Sequence, residues 1–200
     1  FYAFMKTFSR LCHSRSIIEK LATGQQVRTL GGRNKSVTCL DSQLLAKDGE
    51  VSSALEHQCV NEVYDAIADE FSRTRRTPWR RVHEFVKGIP AGSVVADIGC
   101  GNGRYANINS GIRMVGCDLS MRFVEICHEK GFNSVVRSDM YFLPFPNNLC
   151  DVVLSIAVFH HISRDSRRIQ ALNELFRITK PGGQILIYAW ALEQPRTDVS

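Results

Sequence analysis

Three carboxylates stand where short runs of apolar residues end. Asp97 follows Val94-Val95-Ala96, Asp118 closes Met114-Val115-Gly116-Cys117, and Asp139 comes two residues after Ser134-Val135-Val136-Arg137. The first of them leads into Gly99-Cys100-Gly101-Asn102-Gly103. Glycines at alternate positions let a backbone turn tightly and approach a ligand that a Cβ would hold off. The spacing is not the G-x-G-x-x-G of dinucleotide sites. An acid ending the second strand can accept hydrogen bonds from both hydroxyls of an adenosine ribose. Asp139 could then take the adenine amino group while Met140 packs on the ring face. Each piece has a plainer alternative. The glycines could form an ordinary turn, Asp118 could be a surface acid, and Asp139 could cap a helix. Three acids at three successive strand ends favour a nucleoside site.

A second constellation lies downstream. His160-His161 follows the apolar run of a fourth strand, where a reacting group would meet a ligand held at the strand ends. Either histidine alone could equally be a packed or capping residue. No other His or Cys stands at a zinc-ligand spacing from the pair, so no metal site is expected. Upstream, Arg73, Arg75, Arg76, Arg80 and Arg81 crowd the segment around Pro78-Trp79. Such a run is either a solvated face or an anion site, because guanidinium forks pair with carboxylate or phosphate.

The elements that must position these residues follow from periodicity. Val60, Val63, Tyr64, Ile67, Ala68 and Phe71 recur at helical spacing and predict an amphipathic helix over 55–72. A second helix is expected from Trp79 to Lys87, with Pro78 in its first turn and Gly88 ending it. Strands are predicted at 94–98, 114–118, 134–137, 151–157 and 184–190, with helices at 120–130 and 164–179. Strands alternating with helices of this length define an α/β fold, a doubly wound and mostly parallel sheet.

Composition narrows the class. The 200 residues are 44% hydrophobic and 22% charged, as in a globular chain. The longest apolar run, eight residues from Val152 to Phe159, is far below the ~20 that span a bilayer, so no membrane role is expected. The net charge of +5 is uneven: residues 1–40 carry seven Lys/Arg against Glu19 alone, and the remainder holds 18 basic and 19 acidic groups. The body is therefore not a strongly basic nucleic-acid binder. Residues 1–50 read as a basic extension, unstructured or a mitochondrial-type presequence, and 51–200 as the catalytic domain. The seven cysteines, none closer than ten positions to another, form no compact disulfide framework and suggest a reducing compartment.

The run Asp97 to Gly103, with Asp118 and Asp139-Met140, resembles the class I S-adenosylmethionine-dependent methyltransferases. That resemblance implies that Gly99, Gly101 and Gly103 hold the methionine part of S-adenosyl-L-methionine and that Asp97 reaches its ammonium. More specific pieces are Val63-Tyr64-Asp65-x-Ile67-Ala68, Phe71-Ser72-x-Thr74-Arg75-x-x-Pro78-Trp79, Ala96-Asp97-Ile98-Gly99-Cys100-Gly101-Asn102-Gly103-x-Tyr105, Ser155-Ile156-Ala157-Val158-x-His160-His161, Arg167-Arg168 and Ile187-Tyr188-x-Trp190-Ala191. Together, from Val63 to Gln194, they resemble the tRNA wobble-uridine carboxymethyl methyltransferases, both the stand-alone fungal enzyme and the methyltransferase domain of the AlkB-type hydroxylase fusion. The implied reaction esterifies the carboxylate of 5-carboxymethyluridine in the anticodon loop of tRNA. The resemblance also adds Tyr64 and Ile156 to the cofactor-binding set, and gives Arg75, His160 and His161 the task of orienting the acceptor. It implies a small zinc-binding activator subunit and a cytoplasmic or nuclear setting, with mitochondria as the alternative. Arg104 stands where this family commonly has Lys. Because ten residues follow Trp190, the sheet is expected to lack the last two strands of the class. Two other functions fit the same residues: a small-molecule methyltransferase of the quinone-pathway kind, and a non-catalytic cofactor- or partner-binding regulator.

Overall fold

The computed structural model describes residues 60–189. The expectations for residues 1–59 and for the chain beyond 189 fall outside them. Helix α1 (Glu62–Thr74) and helix α2 (Arg80–Lys87) precede strand β1 (Val94–Ile98). Strand β2 (Arg113–Asp118), helix α3 (Met121–Glu129) and strand β3 (Val135–Arg137) follow. Then come strand β4 (Cys150–Ile156), a 3-10 turn at Phe159–His161, helix α4 (Asp165–Ile178) and strand β5 (Thr179–Tyr188).

The five strands form one sheet in the order β3-β2-β1-β4-β5, and every pairing is parallel. Parallel strands are covered on both faces, which is why they read as branched apolar runs. Alternate residues of β1 go to opposite layers. Val95 joins Met114, Val152 and Leu154 beneath Val82 and Val86 of α2 and Val124 and Cys127 of α3. Ala96 and Ile98 join Cys117 and Val153 against Ala171, Leu175 and Ile178 of α4. The doubly wound expectation is met.

Helix α1 lies outside this frame and packs on α3, with Ala68, Tyr64 and Phe71 meeting Phe123 and Ile126. Arg122 of α3 pins the same contact from outside, 2.6 Å from Asp69. Exposed pairs of this kind contribute little each, so the apolar seam holds α1.

Three boundaries differ from the sequence reading. Among the described residues α1 begins at Glu62 and runs to Thr74. Pro78 stands outside α2, whose N-cap is Trp79 in extended conformation. An N-cap residue has non-helical backbone of this kind, so the helix starts at Arg80. Strand β5 starts at Thr179, which pairs with Cys150 before a bulge, and the regular ladder resumes at Val152 and Gln184. The bulge accommodates Pro181-Gly182-Gly183, which the sequence marks only as a turn.

Candidate active site

The order of strands reverses between β1 and β4, and a cavity of about 720 Å³ opens there beyond the carboxyl ends. Its β1 to β3 side is acidic. In the register, Asp97 pairs with Gly116, and Asp118 with Arg137, so the strand ends step outward together. Asp97, Asp118, Asp139 and Met140 all line the cavity.

Asp97 is buried to 1% exposure, and its Oδ1 has no hydrogen-bond partner among the described residues. Burial pushes its pKa up to about 7; the Asp118 carboxylate adds to this and Arg104 opposes it. Asp118 is raised to about 6 by burial, while the amides of Ser120 and Gly101 hold it down. Those two amides lie 3.0 Å from Oδ1 and 2.8 Å from Oδ2 respectively. Asp118 therefore ties the glycine loop to the start of α3. Asp139 accepts from the Tyr141 amide at 3.0 Å through Oδ1, an Asx turn with no helix after it, so it is not a helix cap.

The glycine loop has the backbone that its sequence requires. Gly99 has φ +75°, and an added Cβ would stand 2.4 Å from Val158 Cγ2. Gly101 has φ +53°, and its Cβ would meet no protein atom within 4 Å. Since Gly101 lines the cavity, the missing side chain leaves room for a ligand. Gly103 is a correction: it does not line the cavity. Its Cβ position faces Cys127 Sγ at 3.0 Å and the Phe132 ring at 3.3 Å, so it serves loop-on-helix packing.

The opposite side is built by β4 and α1. Ile156, Ala157, His160 and His161 line it, together with Tyr64, Phe71, Arg75 and Trp79. Ala157 takes φ +63°, a left-handed conformation outside glycine, and its amide donates to the Tyr188 carbonyl at 2.6 Å. Such backbone costs about 1–2 kcal/mol and turns the chain abruptly into the histidines. His161 Nε2 lies 3.1 Å from Tyr64 Oη. His160 stacks against it at 4.1 Å between ring centroids, and its Nδ1 is buried without a partner among the described residues. Burial lowers His160 to about 3, helped by its neighbour, and lowers His161 to about 4. Both imidazoles are neutral at physiological pH and act as hydrogen-bonding groups, not cations. Tyr64, expected to bind cofactor, does face the cavity, with its hydroxyl committed to His161; its own pKa is raised by burial and by Asp118.

Arg75 is exposed, lines the cavity, and makes no ion pair among the described residues. The neighbouring arginines divide differently. Arg73 is bound to Glu70 at 2.8 Å, and Arg80 approaches Glu84 at 3.9 Å. Sequence reasoning gave four contributors no role. Asn102 is buried inside the glycine loop; Arg104 lies over Phe71 at 5.7 Å; Arg167 lies 4.0 Å over the Tyr141 ring; and Ser120 Oγ donates to Asp65 Oδ1. The sequence marks Arg104 only as standing where the resembled family commonly has Lys. The other contacts join residues too far apart in sequence to be paired by pattern.

The acceptor set, Asp97, Asp118 and Asp139, suits a cationic nucleoside. An ammonium would satisfy the orphaned Asp97 Oδ1 and favour its ionised form, and Asp118 and Asp139 keep acceptor capacity for hydroxyl and amino donors.

The chain matches the family model described as a methyltransferase domain over residues 96–187. It is 48% identical over 150 residues to the Mus musculus protein named tRNA (carboxymethyluridine(34)-5-O)-methyltransferase ALKBH8, covering 75% of this chain and 22% of that one. It is 46% identical over 139 residues to the tRNA (carboxymethyluridine(34)-5-O)-methyltransferase of Schizosaccharomyces pombe, covering 70% and 60%. The chain thus spans less than two thirds of either relative. Among solved structures, the methyltransferase fold bound to the Haloferax volcanii Trm112 activator matches with TM-score 0.54 and 26% identity, over 62% of this chain and 58% of the other. Strand order, glycine loop and strand-end acids define a class I methyltransferase domain. Within that class, the chain is similar over 70–75% of its length to relatives named tRNA (carboxymethyluridine(34)-5-O)-methyltransferases.

Proposed function

We propose that this chain transfers a methyl group from S-adenosyl-L-methionine to the carboxylate of 5-carboxymethyluridine at the tRNA wobble position. The observation that carries the reading is the composition of the acceptor side: one arginine without an acidic partner among the described residues, beside two histidines held neutral. That set grips an anion and offers no strong base. A carboxylate acceptor needs none, since its ordinary pKa near ~4 leaves it ionised. The names of the relatives supply the same acceptor.

When bound, the cofactor supplies the methyl group on a positively charged sulfur. Asp97 takes the ammonium through its free oxygen, Asp118 the ribose hydroxyls, and Asp139 with Met140 the adenine. Gly99 and Gly101 allow the close backbone approach, and Ile156 floors the cavity. Arg75 orients the acceptor carboxylate, and His161, fixed by Tyr64, sets the wall beside it. Alignment of the reacting oxygen is the main catalytic resource, and an over-tight ground-state grip on that carboxylate would raise the barrier.

A small zinc-binding activator of the Trm112 kind is part of this proposal. It is supported by the Haloferax complex and by two exposed apolar residues, Val136 on the β3 edge (44% exposed) and Phe142 in the turn after it (75% exposed). A reducing, cytoplasmic setting agrees with Cys100, Cys117, Cys127 and Cys150, all buried and unpaired.

The test is an assay of the chain with such an activator on tRNA bearing carboxymethyluridine. A base-labile methyl ester is the expected product. Cofactor binding without ester would sink the reading, and methylation of small phenols or quinones instead would replace it.

A further inference from the structure

Arg75 owes its position to the cofactor loop. The residue closes α1, its amide donating to the Phe71 carbonyl at 2.8 Å. Its own carbonyl accepts a hydrogen bond from Asn102 Nδ2 at 3.2 Å. Asn102 lies 27 residues away in sequence, between Gly101 and Gly103, and is only 2% exposed. A second tie runs in parallel. Lys130 Nζ donates to the Asn102 carbonyl at 3.1 Å and to Ser72 Oγ at 2.8 Å. The end of α1 and the middle of the glycine loop are therefore one hydrogen-bonded unit.

The side chain is an unusual choice for the place. An Asn carries two donors and an acceptor with two lone pairs, and Oδ1 here is buried without a partner among the described residues. Leaving a buried polar atom unpaired is costly, so the amide is retained for what its donor does. Among the described residues that donor reaches the Arg75 carbonyl alone.

We infer that Asn102 is a positioning residue that transmits occupancy of the cofactor loop to the acceptor arginine. When Gly101 and its neighbours settle against a ligand, the Asn102 amide draws the Arg75 backbone with it and sets where the guanidinium enters the cavity. The inference deepens the proposed function and rests on it, because it takes Arg75 as the acceptor's partner. Coupling of this kind is reciprocal.

The experiment reads Arg75 directly in the full chain. The 15N–1H resonance of its side-chain Nε, assigned through Arg75→Lys, is followed while S-adenosylhomocysteine is titrated, with affinity measured by calorimetry on the same samples. In the unmodified chain the resonance moves in step with occupancy. In Asn102→Ala the affinity stays within threefold and the movement falls to less than a third. Asn102→Leu keeps the side-chain volume, lacks the donor, gives the same result, and serves if the alanine variant does not fold. Equal movement in both variants overturns the inference, as does an affinity lost as steeply as the movement.

Turnover on carboxymethyluridine tRNA gives a second reading. Asn102→Ala lowers kcat/KM 10- to 100-fold, and costs nothing more in an Arg75→Ala background; additive losses overturn the inference. A chain whose Arg75 resonance follows the cofactor but which forms no ester overturns the substrate assignment and leaves the coupling standing.

Discussion

Asp97 is a carboxyl group whose ordinary pKa of 3.8 is raised to about 7, chiefly by burial. The folded chain thus holds a proton there that the unfolded chain gives up above pH ~4. The stability from this group is complete below the unfolded value and is lost as pH rises through about 7. An ammonium ligand reverses the preference. Cofactor affinity is therefore expected to climb between pH 5.5 and 8, with proton release at the acidic end, measured by calorimetry in buffers of different ionisation enthalpy. Asp97→Asn should flatten the slope around pH 7 and leave the part near pH 6 that belongs to Asp118. For the histidines the sign is opposite: their lowered values, about 3 and about 4, stabilise the fold above pH 6.5, and this is lost on acidification. Asp118→Ala should weaken cofactor binding by about 1–3 kcal/mol, the loss of hydrogen bonds to a buried charged acceptor. Unchanged affinity in a titration would contradict the ribose assignment.

Among the elements, the loop from Gly99 to Gly103 separates two kinds of glycine. Gly101→Ala meets empty cavity but a positive φ, so melting temperature should drop by a few degrees, from about 1–2 kcal/mol of strain, while cofactor affinity collapses. Gly103→Ala presses on Cys127 and Phe132 and should reverse that balance. Thermal melts and cofactor titrations on the two variants decide it.

The elements were largely legible beforehand, and for a physical reason. Strands β1 and β4 are largely buried on both faces and so carry short branched apolar runs, Val94-Val95-Ala96 and Val152-Val153-Leu154. The acids were legible because strand ends in such a sheet share one rim. What could not be read was anything made by contact between distant segments. The sequence gives no hint that Asn102 bonds the Arg75 carbonyl, that Tyr64 Oη meets His161, or that Gly103 turns toward α3 and not the cavity. Ala157 escaped notice because nothing in its type announces a left-handed backbone.

At the scale of the molecule, the short edge strand β3 exposes Val136, and the turn that follows it exposes Phe142. Edge strands with unpaired backbone groups invite a partner strand. Phe142→Glu with Val136→Lys should lower the affinity for a Trm112-type activator at least tenfold and leave cofactor affinity within twofold, as measured by co-purification and titration. Loss of cofactor binding instead would mean that the edge supports the fold and not a partner.

Because the central strand stands between β2 and β4, the proposed reaction would have its two substrates served by opposite halves of the sheet. The half that holds the methyl donor is made from consecutive segments and changes little without losing its ligand. The other half draws on β4, the residues after it and the end of α1. It is free to vary, so a relative could acquire a new acceptor by altering a handful of positions there while inheriting the donor's cradle whole.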